Sequence, residues 1–189
     1  QILVVHSLIL RLFARLTVAR FFRGIADALV VAFSTASSSA TLPVAMRVAG
    51  ANLGIRPTIY QTVLPLGASI GKDGTAMYVG LLSLFALQAF GVAMTPALYL
   101  TVLLTGALAA FGTAPVPSAS LFMLAAVLSA AGVAPEQTAL VVGFVLPFDR
   151  LLDMTRTVPS ASANLTVATT VARWEGEIDE ARYRGAATR

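Results

Sequence analysis

The stretch Ser69-Ile70-Gly71-Lys72-Asp73-Gly74-Thr75 places a lysine, an aspartate and two glycines inside a mostly apolar part of the chain. A charge at the centre of a membrane span costs roughly 2.5–3.5 kcal/mol, and neighbouring glycines loosen a helix. Irregular backbone at membrane depth is tolerated only where it is buried in protein or lines a cavity. We therefore predict that this stretch is the unwound midpoint of a membrane helix and that it holds a polar ligand.

Composition is typical of a membrane protein. Of the 189 residues, 57% are hydrophobic and only 12% are charged, against about 25% charged residues in soluble domains. Many arginines lie near the two ends, a distribution typical of cytoplasmic flanks, so the net charge of +4 does not indicate a nucleic-acid partner. The chain has no cysteine, which excludes disulfides and thiol chemistry. We predict a multi-pass protein of the plasma or inner membrane, in contact with lipid.

The chain opens at Gln1 within an apolar segment that is interrupted by Arg11 and Arg15. We expect residues 1–17 to be the end of a membrane helix, and the sequence to be a piece of a longer protein. The single histidine, His6, has no partner at a useful spacing, and we assign it no functional role.

Two segments share the pattern of an apolar arm, a polar breaker and a second arm. The first breaker is Ser34 to Pro43, between arms at about 20–33 and 44–49, and the second is Gly112 to Ser118, between arms at 96–110 and 119–131. Each arm is too short for a bilayer core, which needs about 20 residues. Interrupted segments in corresponding halves point to a binding site at the membrane midplane. We predict two re-entrant hairpins around the broken helix.

The last long helix, predicted from about 136 to 171, carries a polar stripe in its second half. Side chains recur there at spacings of four, three and four residues, which places them on one helical face. They are Asp149, Asp153, Arg156 and Ser160, and Asn164 continues the stripe one turn further.

Four motifs, in this order, resemble the dicarboxylate/amino acid:cation symporter family, the glutamate and aspartate transporters. They are the run 37–43 (SSSATLP), the break at 73–75 (DGT), the tip at 112–117 (GTAPVP) and the run 152–157 (LDMTRT). The resemblance covers about residues 18–172. It implies an all-α membrane protein, with two re-entrant helical hairpins and broken transmembrane helices, that forms most of an elevator-type transport domain.

The resemblance also implies how the chain is divided. Residues 1–17 would end the sixth helix, and 18–175 would form the transport-domain core. That core would comprise hairpin one (19–50), the broken helix (58–88), hairpin two (95–133) as the gate, and the last helix (136–175), followed by a charged, solvated tail (176–189). The scaffold outside this chain would form a homotrimer.

Family roles transfer to matching positions. Arg156 matches the arginine that binds the side-chain carboxylate of aspartate or glutamate, for which a bidentate guanidinium is suited, and Asp153 matches the acceptor of the α-amino group. The remaining substrate contacts would come from the hydroxyls of Thr75 and Thr157, from Ser160, and from the backbone around Ser37, Ser38 and Val116.

The cation sites depart from the family pattern. Gly71 and Lys72 stand where the family commonly has asparagine and methionine, while Ser160 and Asn164 replace an asparagine and a sodium-binding aspartate. We predict weak or absent sodium sites, no other cofactor, and the Lys72 ammonium in place of a coupling cation. Burial disfavours the ammonium form, which leaves proton coupling open. The positions involved are Ser69, Gly71, Lys72, Asp73, Asp149 and Asn164, with Lys72 paired to Asp73 or Asp149.

Two other functions compete with this interpretation. One is a sodium- or proton-coupled C4-dicarboxylate symporter of the same family, which the missing asparagine at position 160 leaves open. The other is a different class, a channel or an intramembrane enzyme with a Ser–Lys pair. The sequence supplies no nucleophile elbow and no metal-ligand set for an enzyme, so we predict a transporter.

Overall fold

The computed structural model describes residues 1–185, and within that range it is helical without β-strands, which confirms the all-α prediction. A short helix, α1 (Ser7–Ile9), lies between two π-helical turns, Ile2–His6 and Leu10–Ala14. The remaining helices are α2 (Val18–Thr35), α3 (Ser38–Ala51), α4 (Pro57–Ile70), α5 (Asp73–Ala89), α6 (Pro96–Gly112), α7 (Ala119–Ala130), α8 (Pro135–Trp174) and α9 (Glu180–Tyr183).

The break in the central helix lies at Gly71 and Lys72. Gly71 leaves the helical conformation with φ −78° and ψ 72°, and Lys72 has φ −112° and ψ 39°. Helix α4 therefore ends at Ile70, and α5 starts at Asp73 with its first N–H groups turned towards the break. This geometry places the only lysine of the sequence at the junction between two helices.

The first polar breaker is much shorter than predicted. Only Ala36, with φ 51°, and Ser37, with extended backbone, separate α2 from α3. The Ser37 hydroxyl accepts a hydrogen bond from the Ala40 N–H at 3.2 Å, a typical N-cap. The prediction of a breaker from Ser34 to Pro43 was therefore wrong in extent, because this cap starts α3 at Ser38 and Pro43 is accommodated within the helix. The second breaker spans 113–118.

Two apolar cores lie on either side of the break, and α8 takes part in both. The first core includes Phe21, Ile25 and Leu64 together with Leu165 in the second half of α8. The second includes residues of α5, α6 and α7 around Leu124 and Leu128, together with the first half of α8. Because the 40 residues of α8 form one helix, this helix fixes the relative position of the two halves.

Across residues 1–185, no helix combines the length and the apolar character needed to cross a membrane. Helices α2 and α3 pack against each other, as do α6 and α7. The assignment of these pairs as re-entrant hairpins stays a prediction.

The segment after α8, which was predicted to be a charged, solvated tail, contacts the protein through a few residues while most of its positions up to 185 are exposed; positions 186–189 lie outside the described residues. Ile178 forms an isolated β-bridge with Ile55, and the Asp179 N–H donates to the Gly54 carbonyl at 2.8 Å. Tyr183 is fully buried in the first core and its hydroxyl donates to the Thr17 carbonyl at 3.0 Å. Burial raises the pKa of Tyr183 to about 12, which keeps this donor protonated.

We expect Tyr183→Ala to destabilise the protein by about 3 kcal/mol, because a fully buried aromatic ring leaves a cavity. Tyr183→Phe keeps the ring and loses one hydrogen bond, so it should cost only about 1 kcal/mol. Thermal unfolding of the purified full-length protein measures both. Equal melting temperatures for wild type and Tyr183→Ala would show that the C-terminal segment does not contribute to the core.

Candidate functional site

The start of α5 lies directly against the middle of α8. The Gly74 N–H donates to the Ser160 hydroxyl at 3.1 Å, and both residues are buried. A Cβ at position 74 would collide with the backbone carbonyl of Arg156. Only glycine allows this close approach, and the approach brings Thr75 and the break alongside the polar stripe of α8.

Asp153 and Arg156 form a buried ion pair on that stripe. Asp153 is fully buried and the Arg156 side chain is only 9% exposed. The guanidinium also donates from Nη1 to Thr75 Oγ1 at 2.5 Å, and it lies over the ring of Tyr78, 5.6 Å from its centroid. The structure therefore brings together the residues predicted to bind the two charged ends of a substrate, and they form an ion pair with each other.

Tyr78 is a site residue that the sequence analysis missed. Its hydroxyl donates to the buried Asp149 carboxylate at 3.0 Å, while its ring contacts the Arg156 guanidinium. The sequence held one signal for this role: Tyr78 lies three residues after Thr75 in the same helix, and residues at that spacing share a helical face. Tyr78 thus links the charge of Asp149 to that of Arg156.

The two breakers meet at this site. The Ser37 hydroxyl donates to the Pro115 carbonyl at 2.9 Å, and the Ser118 N–H donates to Asp153 Oδ2 at 2.7 Å. Ser118 has φ 61°, a left-handed conformation that is uncommon for a residue with a side chain. Val116, predicted to cover the substrate, is 50% exposed on this tip. The tip of the second breaker thus closes over the carboxylate of Asp153.

Lys72 is 5% exposed, and its ammonium donates to the Ser38 hydroxyl at 3.3 Å. It forms no ion pair with Asp73 or Asp149 within the described part of the chain, so the predicted pairing is not what the structure has. The Lys72 side chain contacts the start of α3, whereas the Asp73 side chain contacts the N-terminal segment. A fixed cation therefore lies next to the serine run of the first breaker.

The side chain of Asn164 packs on the backbone of the break. A Cβ at Gly71 or at Gly67 would collide with the Asn164 carboxamide. The remaining predicted positions are less involved: the Ser69 hydroxyl bonds back to Pro65 in its own helix and is exposed. The buried Thr157 hydroxyl likewise donates to the Asp153 backbone carbonyl at 2.8 Å.

The Asp73 carboxylate is bound by the N-terminal segment. Gln1 Nε2 donates to Asp73 Oδ2 at 2.5 Å, and His6 Nε2 lies 3.3 Å from the same oxygen. His6 is buried, and its Nδ1 lies 2.9 Å from the hydroxyl of buried Ser162. The conclusion that His6 has no partner was wrong, because both partners are far away in sequence, beyond the reach of spacing arguments.

Taken together, these contacts define a buried, charged site at a helix break, covered by two breaker tips. No group of three or more His, Asp or Glu side chains within residues 1–185 could hold a metal ion. An arginine and an aspartate side by side suit a small ligand that carries carboxylate and amine groups. Such a site has the chemistry to bind a small charged solute.

Comparison with known proteins identifies the family. The Sodium:dicarboxylate symporter family matches residues 1–174, and the chain belongs to it. A C4-dicarboxylate transport protein of Anaeromyxobacter sp. (strain K) is 33% identical over 183 residues, which is 97% of this chain and 40% of that protein. The chain is therefore part of a member of a symporter family.

Glutamate transporters are similar as well. Human excitatory amino acid transporter 2 is 39% identical over 137 residues, 72% of this chain and 23% of that protein. The Proton/sodium-glutamate symport protein of Geobacillus stearothermophilus is 32% identical over 154 residues, 82% of this chain and 35% of that protein. The chain thus spans at most about 40% of the length of these relatives.

We expect Gly74→Ala to separate α5 from α8 and to abolish transport by the full-length protein, with a stability loss of about 1–3 kcal/mol. Gly80→Ala in the same helix is the matched control, because an added Cβ there meets open space. That variant should be neutral or more stable by up to about 1 kcal/mol. Solute uptake and thermal unfolding check both, and normal uptake by Gly74→Ala would contradict the close approach.

Proposed function

We propose that the full-length protein is a secondary active transporter of acidic amino acids, with aspartate or glutamate as substrate. The observation that carries this proposal is the buried pair of Asp153 and Arg156 beneath the tip of the second breaker. Arg156 offers a planar fork of donors for the side-chain carboxylate. Asp153, an acceptor only, suits the α-ammonium group.

The α-carboxylate of such a substrate would lie near the start of α3. Ser37 and Ser38 begin this helix, where free N–H groups and the helix dipole favour an anion. The buried Lys72 ammonium beside Ser38 adds positive charge at the same place. The proposed site therefore has two cationic regions for two carboxylates and one anionic region for an amine.

We propose further that this chain is most of a transport domain that moves across the membrane as an elevator, with the tip of the second breaker as its gate. The scaffold, and a homotrimer built through it, would be formed by parts of the protein outside this chain. The share of the relatives that the chain covers supports this division.

Lys72, in this proposal, stands in for a coupling cation, and sodium coupling is lost or reduced. A sodium ion at the break would be repelled by the Lys72 ammonium, which already lies there. The Asn164 carboxamide already covers Gly67 and Gly71, and the Lys72 ammonium occupies the space beside Ser38. An ammonium fixed to the protein supplies positive charge without an ion from solution.

A second candidate is a C4-dicarboxylate symporter. A ligand without an amine would leave the Ser118 N–H on Asp153 Oδ2 in place, while its carboxylate would compete with Asp153 for Arg156. Such a ligand needs the two cationic regions alone. The similarity to a protein that is named a C4-dicarboxylate transport protein supports this candidate.

The first test is uptake of labelled aspartate into proteoliposomes that contain the full-length protein. We expect saturable uptake that glutamate inhibits and that Arg156→Gln reduces at least about 100-fold, since a buried charged contact to substrate is lost. Arg150→Gln is the matched control, because Arg150 is exposed on the same helix. Uptake of succinate, with no uptake of aspartate, would favour the second candidate, and uptake of neither would contradict both.

The second test replaces sodium with choline on both sides of the membrane. Wild type and Lys72→Arg both keep a cation at position 72. Each should take up the substrate equally well in sodium and in choline. Lys72→Met removes it, and its uptake in choline should fall about tenfold or more, with partial recovery in sodium. If Lys72→Met leaves the ion dependence unchanged, Lys72 does not replace a cation.

A further inference from the structure

His6 is the one buried imidazole of the chain, and the proposed transport mechanism does not use it. It connects three elements that are distant in sequence: the N-terminal segment, the start of α5 through Asp73, and α8 through Ser162. Its 2% exposure means that both ring nitrogens depend on protein partners.

The partners define which nitrogen carries the proton. An ionised carboxylate only accepts hydrogen bonds, so His6 Nε2 donates to Asp73 Oδ2. Nδ1 then accepts from the Ser162 hydroxyl in the neutral ring. The hydrogen bond at Nδ1 thus fixes which proton Nε2 carries and where it points, as a hydrogen bond at one ring nitrogen of histidine generally does for the other nitrogen.

Asp73 has no lysine or arginine within ion-pair distance in the described structure. The adjacent Lys72 points to Ser38 instead. Only the N–H groups of Gln1 and His6 compensate the carboxylate, both at Oδ2, and Oδ1 is buried without a hydrogen-bond partner. The Asp73 side chain is 31% exposed, but a carboxylate oxygen that is shielded from water requires such compensation, or it destabilises the state that contains it.

We propose that His6 is a positioning residue that holds Asp73 with a protein N–H where a small monovalent cation would otherwise be required. This inference rests on the proposed transport function and extends it to a second position at the break. Loss of the His6 donor leaves the Asp73 carboxylate with Gln1 as its one remaining donor in the described structure, which creates a need for sodium. His6 and Lys72 thus act at opposite sides of the same break.

Two amide substitutions separate this role from packing. His6→Gln places an N–H donor near the position of Nε2, so the bond to Asp73 is retained. His6→Asn places its amide near Nδ1, so it reaches Ser162 but not Asp73. Both side chains are neutral and neither titrates. Ser7→Ala is a control on the same segment, since the Ser7 hydroxyl takes part in none of the described side-chain hydrogen bonds.

The measured quantity is the ratio of labelled-substrate uptake in sodium to uptake in choline, in proteoliposomes with the full-length protein. His6→Gln and Ser7→Ala should keep the wild-type ratio. In choline, uptake by His6→Asn should be about tenfold lower than that of the wild type, which is the size expected for the loss of a hydrogen bond to a charged group. In sodium, uptake by this variant should recover. An equal ratio for His6→Asn and His6→Gln would overturn the inference.

A second readout does not depend on transport. Sodium should raise the melting temperature of purified His6→Asn by about 2 °C or more relative to choline, because binding to the folded state stabilises it, and should not raise that of His6→Gln. Equal shifts for both variants would overturn the inference. The wild-type sodium-to-choline ratio tests the proposed sodium independence alone, while the difference between the two variants tests the role of His6.

Discussion

The close contact between Gly74 and the backbone of Arg156 is the constraint on which the site depends. At position 74 there is no space for a side chain between α5 and α8. The hydrogen bond from the Gly74 N–H to the Ser160 hydroxyl fixes the register of the two helices. With that register set, Thr75 lies beside the Arg156 guanidinium and Tyr78 lies between Arg156 and Asp149. A shift of one residue would turn each of these groups to another face. The packing of one glycine thus determines the electrostatics of the whole site.

Charge compensation at the break follows from this geometry. Two side-chain cations, Lys72 and Arg156, lie near three carboxylates, and each carboxylate has its own donor: the Tyr78 hydroxyl for Asp149, Arg156 for Asp153, and the N-terminal segment for Asp73. Isolated buried charges are costly, and paired ones are stable only when the remaining polar atoms are also satisfied. The broken backbone makes this arrangement accessible, because Lys72 and Asp73 are adjacent in sequence yet contact different segments, α3 and the N-terminal segment.

Much of the fold could be predicted because its signals are local. The glycines and charges at 71–74 indicated the break, and the spacing from Asp149 to Ser160 indicated the polar face of α8. The motifs around Asp153 and Arg156 indicated the family. Other features depend on contacts between distant residues, which spacing does not reveal: His6 with Ser162, Lys72 with Ser38, and Tyr183 with Thr17. The serine run was misread for a different reason, since serine both breaks helices and caps them, and only the bond from Ala40 to Ser37 decides between the two.

The tip of the second breaker lies over the proposed site. The Ser118 N–H donates to Asp153 Oδ2, and the first breaker contacts the same tip through the Ser37 hydroxyl and the Pro115 carbonyl. An amine that approaches Asp153 must compete with that N–H, whereas a carboxylate that approaches Arg156 must compete with Asp153 itself. A ligand that carries both groups replaces the ion pair with two new ones and leaves no buried charge uncompensated. A ligand with only one of them frees a buried partner without satisfying it, at a cost of several kcal/mol when that partner is charged. Under the proposed function, selection for a solute with both an amine and a carboxylate would follow from the ion pair of Asp153 and Arg156.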